Sequence, residues 1–267
     1  MGGIRGEGCN SGKEERVVKR TNRMVWAAGL LLLLCSCSAS EKKIVQSDAQ
    51  ILQQAEEALA AKKYEKAQEL LRRLMSEYPA SEWIPRAQLA LGRAYYEDGK
   101  YLEAKAEYQK FLDLHPRHQW ADEAHYYLGL TYFAEIASVD RDQSPAQRAL
   151  VEFQALLKEA PDSRYASEAK EKLKVCQEKL AGHEFFVGWF YFRKGKYNAA
   201  SGRFKYLLSH YPGTGIEEKA LYYLGRSYYR LKDKEKAASA FLQLLERYPD
   251  SEYASEVRTR LAELEAH

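Results

Sequence analysis

The chain has 267 residues, 46% hydrophobic and 30% charged, with 7 prolines and 16 glycines, which excludes collagen-like and low-complexity chains and leaves room for one large or two small folded domains. Its formal net charge of +3 is concentrated at the start: six of the 41 basic and three of the 38 acidic side chains precede Cys37, leaving 35 of each beyond. A neutral body lacks the basic excess of a nucleic-acid binder, so no nucleic-acid partner is expected.

The first element is a leader. Val25 to Leu34 is an apolar run of ten residues, preceded by Lys19, Arg20 and Arg23 and followed by small residues. This is the layout of a secretory signal peptide. As a helix the run would rise only about 15 Å, half of a bilayer core, so it predicts no stable span. Met24 at its head leaves the start of translation open. The run ends Leu34-Cys35-Ser36-Cys37, which resembles the lipobox of bacterial lipoproteins: Ser36 precedes Cys37 and Leu34 lies three positions before it. The resemblance implies cleavage before Cys37, lipidation of Cys37 and a membrane anchor of several acyl chains. Ser38 follows rather than Asp, which in the lipoprotein sorting rule implies the periplasmic face of the outer membrane. Cys9 and Cys35 leave with the leader and Cys37 carries lipid, so Cys176 stands alone and no disulfide is expected.

Beyond the tether, five amphipathic stretches end alike, at Tyr78-Pro79, His115-Pro116, Ala160-Pro161, Tyr211-Pro212 and Tyr248-Pro249, with prolines 37, 45, 51 and 37 residues apart. Counting back from each proline gives Ala55, Ala58, Ala67 and Leu71 in the first repeat and Leu91, Gly92, Tyr95, Ala104 and Tyr108 in the second. The third is split, with Leu128, Gly129 and Tyr132 separated from Ala149 and Phe153 by eight extra residues around Ala134 to Ser144. The fourth has Val187, Gly188, Tyr191, Ala200 and Phe204, and the fifth Leu224, Gly225, Tyr228, Ala237 and Phe241. This resembles the tetratricopeptide repeat (TPR). Small residues let two antiparallel helices cross closely, aromatics fill the space around the crossing, and proline stops the second helix. Ser81, Ser163, Thr214 and Ser251, two residues after a proline, are candidate caps of the next helix. The expected fold is all-α: a TPR superhelix of about five helix-turn-helix repeats. Residues 1-36 are read as signal peptide, 37-47 as lipidated tether, 48-162 as repeats 1-3, and 163-267 as repeats 4-5 with a C-terminal capping helix.

No catalytic constellation is apparent, and neither a metal nor another cofactor is expected. His115 and His118 flank an inter-repeat proline without a Cys or clustered carboxylate, and the glycines sit singly rather than in a phosphate loop. A groove remains as the candidate site. Positions one helical step from the core aromatics are predicted to face it: Arg86, Leu89, Arg93 and Tyr96 in the second repeat, and Glu123, Tyr126, Leu130 and Phe133 in the third. Arg and aromatic side chains are the usual anchors of protein interfaces.

Asp140-Arg141-Asp142-Gln143 in the third-repeat insertion, the segment with Leu180-Ala181 and Glu184, and Tyr197 to Arg203 are not generic TPR features. With the long spacing before Pro212, they make the chain similar to the BamD (ComL) family, lipoprotein subunits of the outer-membrane β-barrel assembly (BAM) machinery. The resemblance implies that the N-terminal repeats receive unfolded outer-membrane proteins and that the C-terminal repeats dock the periplasmic domain of the barrel-forming partner, BamA. Arg203 matches a family position at that docking surface. Other BAM lipoproteins are further candidate partners. A periplasmic TPR adaptor of the Tol-Pal and peptidoglycan coordination type is the alternative. That type carries an N-terminal coiled coil, for which Ser38 to Asp48 is too short. A lytic peptidoglycan hydrolase would need a catalytic domain for which no residues remain.

Overall fold

The second helix of each repeat shows why this chain coils into rods. In Tyr64–Glu77, the buried Ala67, Leu70, Leu71 and Leu74 lie three, four and seven residues apart, and Ala237, Ala240, Phe241 and Leu244 repeat the spacing in Lys234–Arg247. That spacing puts one apolar stripe along a helix. The computed structural model describes residues 46–266, so the leader, Cys37 and all of the tether but Gln46 and Ser47 lie outside the described residues.

Eleven helices follow one another among the described residues: α1 Asp48–Ala60, α2 Tyr64–Glu77, α3 Ile84–Glu97, α4 Tyr101–Leu114, α5 Ala121–Ala134, α6 Ser144–Glu159, α7 Ala166–Arg193, α8 Tyr197–His210, α9 Glu217–Arg230, α10 Lys234–Arg247 and α11 Ala254–Glu265. Each helix packs on the next, and the first helices of successive repeats also touch. The pairs α1/α2, α3/α4, α5/α6 and α9/α10 are repeats one, two, three and five. The fourth is formed by the second half of α7 with α8, and α11 covers the last pair through Val257. The third repeat replaces a tight turn with the loop 135–143. The 28-residue α7 absorbs the extra spacing before Pro212, and its first half buries Ala166, Ala169 and Cys176.

One contact recurs at the centre of the pairs. A methyl carbon placed on Gly92 would lie 2.8 Å from the Tyr108 ring, on Gly129 2.6 Å from Phe153, and on Gly188 2.7 Å from Phe204; Gly225 meets Phe241 in the same way. All four rings are fully buried. The first repeat keeps the arrangement with the sizes exchanged: Ala55 stands at the glycine position and Leu71 at the ring position, both 0% exposed.

Turns and ends follow from backbone constraints. Within a repeat, the turn needs one left-handed residue, Gly99 or Gly195 in repeats two and four, but Lys62 and Lys232 in repeats one and five. Each second helix ends two residues before a proline, with the residue between as its C-cap. The predicted caps differ in detail. Ser81, Ser163 and Ser251 stand two residues upstream of the N-caps Trp83, Tyr165 and Tyr253, and their Oγ atoms accept from those residues' backbone N–H at 3.1, 3.2 and 3.0 Å. Ser81 and Ser163 also donate to Asp48 and Asp122 of the preceding first helix, both at 2.6 Å, tying repeat to repeat. A single hydrophobic cluster runs from Tyr126 to Ala240 across residues 162 and 163, so packing does not break there.

Helix propensity alone favours Ala over Gly by about 1 kcal/mol, so any loss from Gly92→Ala must come from the Tyr108 contact. Gly92→Ala should destabilise by about 1–3 kcal/mol through overpacking. Tyr108→Leu should destabilise through a cavity. The double variant, which copies the Ala55–Leu71 arrangement, should be more stable than the sum of the single effects by at least about 1 kcal/mol in denaturant titrations. Strict additivity would show that the two positions do not meet.

Candidate functional site

The inner faces of the first helices carry a chain of alternating charges. Arg86 on α3 donates through Nε to Glu56 of α1 at 3.0 Å and through Nη1 to Glu123 of α5 at 3.2 Å. Glu123 also accepts from Arg164 at 3.4 Å, in the turn before α7. The result is a Glu56–Arg86–Glu123–Arg164 ladder across the first helices α1, α3 and α5 and the turn before α7, with the Arg86 guanidinium also 5.6 Å from the Trp120 ring. Glu123 is only 5% exposed, and two arginines compensate its burial.

Arg93, two turns further along α3, is different. Its side chain is exposed, lies 5.8 Å from the Tyr127 ring, and pairs with no carboxylate among the described residues. Tyr96 closes this corner, 5.7 Å from Tyr101 and 5.9 Å edge-on to Tyr127, and burial raises its phenol pKa. Arg86, Arg93 and Glu123 share one concavity with Glu56, Leu59 and Ala90.

Two predicted groove residues are core residues instead. Leu89 is 0% exposed, and Tyr126 is 5% exposed, stacked on Tyr165 at 4.4 Å. The cause is a second aromatic signal that the groove prediction did not use: Trp83, Trp120, Tyr165 and Tyr253, each four residues after a proline, open the next first helix. Three positions before the crossing residue of the preceding repeat, Tyr126 stacks on Tyr165 and Tyr222 on Tyr253 at 4.4 and 4.0 Å, and Leu52 and Leu89 lie in the clusters against which Trp83 and Trp120 pack. Leu130 and Phe133 are half-buried against the large cluster, with the Lys172 ammonium 5.0 Å from the Phe133 ring. Arg226 occupies in the fifth repeat the place of Arg93 in the second, over Phe192 and Tyr222 at 5.2 Å each. Counting one residue past Gly225 would have found it.

Arg203, on α8, stands away from this set. It makes an ion pair with Glu184 of α7, Nη1 lying 3.1 and 3.3 Å from the two carboxylate oxygens, with Arg203 46% exposed and Glu184 13%. Cys176 is buried, and burial pushes its thiol up to about 12. His125 bonds Glu152 at 2.7 Å, and no group of three or more His, Cys, Asp or Glu among the described residues is arranged to hold a metal. No helix among the described residues is long and apolar enough to cross a membrane.

Paired helices closed by a small residue under a buried ring, stacked first helix on first helix, define a TPR array. The family YfiO, described as outer membrane lipoprotein, matches residues 45–240. The chain is 30% identical over 227 residues to the outer membrane protein assembly factor BamD of Rickettsia prowazekii (strain Madrid E), covering 85% of this chain and 90% of that one. It is 28% identical over 174 residues to BamD of Caulobacter vibrioides, covering 65% of this chain and 57% of the relative. A tetratricopeptide repeat protein from Parabacteroides merdae ATCC 43184 aligns at 15% identity with a TM-score of 0.37, over 74% of this chain and 78% of that one. The chain belongs to the YfiO/BamD family of outer membrane lipoproteins.

The stacked tyrosines give the array a measurable alkaline limit. Burial, and then the bond from Tyr222 to Glu256 at 2.5 Å, push the Tyr222 phenol up to about 12. A folded-state pKa above the unfolded value favours folding while the phenol is neutral. That contribution is complete below about pH 10 and lost as pH rises toward about 12. In an ultraviolet phenolate titration, Tyr222→Phe should remove one late-titrating group, and Glu256→Gln should move that group to lower pH. A loss confined to the early groups would contradict the assignment.

Proposed function

We propose that this chain is a non-catalytic binding subunit of the outer-membrane β-barrel assembly machinery. A lipid on Cys37 holds it to the periplasmic face of the outer membrane. The half formed by residues 48-162 binds segments of unfolded outer-membrane proteins, and the half formed by 163-267 docks a BamA-like barrel-forming partner. Family membership supports the general role, since the curated relatives described above bear the name outer membrane protein assembly factor. They give the Tol-Pal type of adaptor no support.

The observation that carries the binding site is Arg93: an exposed cation over Tyr127, beside Tyr96, without a carboxylate partner among the described residues. The ladder of Glu56, Arg86, Glu123 and Arg164 neutralises itself, so it shapes the groove, while Arg93 is left to meet a carboxylate of the bound segment and the tyrosines its aromatic side chains. Leu130 and Phe133 extend the apolar surface toward α7. Leu89 and Tyr126 support that surface from beneath. For docking, the Arg203–Glu184 pair offers a half-exposed guanidinium already held in orientation, to which a partner carboxylate adds as a second acceptor.

The test uses the mature chain and a synthetic peptide from the C-terminus of an outer-membrane barrel protein. Arg93→Ala combined with Tyr96→Ala should weaken peptide binding about tenfold or more and leave binding of the BamA periplasmic domain unchanged. Arg203→Glu should do the reverse. Equal loss of both by either variant would contradict the division of labour.

A further inference from the structure

The fourth repeat exposes a face that the other internal repeats bury. Two residues on either side of the crossing residue, a first helix meets the repeat before it. These positions hold Ala90 and Ala94 in repeat two, Tyr127 and Thr131 in repeat three, and Tyr223 and Ser227 in repeat five; Ala94, Thr131 and Ser227 are 0% exposed. In the first repeat, which no described repeat precedes, they are Gln53 and Glu57, polar and exposed. In the fourth they are Phe186 and Phe190, 38% and 48% exposed.

The length of α7 explains the exposure. Its first half takes up the packing of the third repeat through Ala166, Ala169 and Cys176, and that repeat's loop still reaches it at His183, whose Nδ1 lies 2.6 Å from the Val139 carbonyl. The second half runs on past this support and keeps the geometry of a stacking face with no repeat stacked there. Solvent alone would favour polar side chains at these positions, as in the first repeat. Two phenylalanines on one helical stripe instead mark a surface built to be covered.

Charge identifies what covers it. Arg193 lies 4.8 Å from the Trp189 ring and Lys194 5.8 Å from Phe190, with Lys196 exposed beyond them. None of the three pairs with a carboxylate among the described residues. The carboxylate of Glu184, on the same helix, is committed to Arg203. We infer that the Phe186–Phe190 face of α7 docks a polypeptide of another protein, one that presents aliphatic side chains flanked by carboxylates and sits where a preceding repeat would stack. This goes beyond the proposed groove and Arg203 surface, and neither needs to be correct for it to hold.

The experiment places a photo-crosslinking amino acid at Phe190 in the full-length protein in its native envelope and identifies the adduct by mass spectrometry. The expected result is attachment to one defined segment of one other protein, with Asp or Glu beside apolar residues. Arg193→Glu with Lys194→Glu should cut the yield about tenfold, while Lys174→Glu, on the first half of α7, should leave it unchanged. Attachment to lipid, to a second copy of this chain or to many unrelated proteins, the absence of any adduct, or a yield indifferent to the charge reversal would each overturn the proposal. Loss of peptide binding at Arg93 and Tyr96 is read separately, so failure of either idea leaves the other standing.

Discussion

A glycine pressed against an aromatic ring sets the spacing of the two helices in four of the five repeats. Gly92, Gly129, Gly188 and Gly225 have no room for a methyl group because Tyr108, Phe153, Phe204 and Phe241 occupy it. The glycine costs about 1 kcal/mol in helix propensity, and each fully buried ring returns roughly 1.5–3 kcal/mol. The balance favours the crossing, but only while the pair stays matched in size. The first repeat meets the same volume with Ala55 and Leu71. Because each crossing fixes how one helix pair presents itself to the next, every later feature inherits its geometry: the Ser–Asp ties, the stacked tyrosines and the inner charged face.

That constraint was legible in the sequence, since it lies in fixed offsets from five prolines. The fourth repeat's extra spacing was legible as length, and it emerges as the long α7. Other features were hidden for identifiable reasons. Leu89 and Tyr126 sit on the helical stripe that predicts a groove, yet Tyr165 of the following repeat stacks on Tyr126 and Trp120 packs against the cluster that holds Leu89, and helical periodicity within one repeat carries no information about its neighbour. The serines two residues past a proline were expected as N-caps; they bond the N-cap backbone from two residues upstream, because an extra turn precedes each first helix. Glu184 lies on the helix facing Arg203, and the two are on separate elements that the Gly188–Phe204 crossing brings together.

The electrostatics of the inner face distinguish scaffold from contact surface. Glu56, Arg86, Glu123 and Arg164 satisfy one another across four elements, so they hold neighbouring helices in orientation without attracting a charged ligand strongly. Arg93 and Arg226 stand at equivalent places and carry cations over aromatic rings. The first is uncompensated among the described residues, whereas Arg226 has Glu256 at 4.0 Å. The same repeat geometry thus yields an open cationic corner in the N-terminal part and a closed one near the C-terminus, the contrast on which the proposed role of the first half rests. In the fourth repeat, α7 breaks the uniformity of the stack and leaves two exposed phenylalanines at stacking positions.

Hydrogen exchange of a Gly188→Ala variant tests most directly the central claim that matched crossings hold the array together. The added methyl should lower amide protection most in the second half of α7 and in α8, less in α9 and α10, and least in α1 to α4, because each repeat is stabilised chiefly by its neighbours. Unchanged protection in α7 and α8, or a loss as large in α1 to α4 as at the substitution, would contradict it.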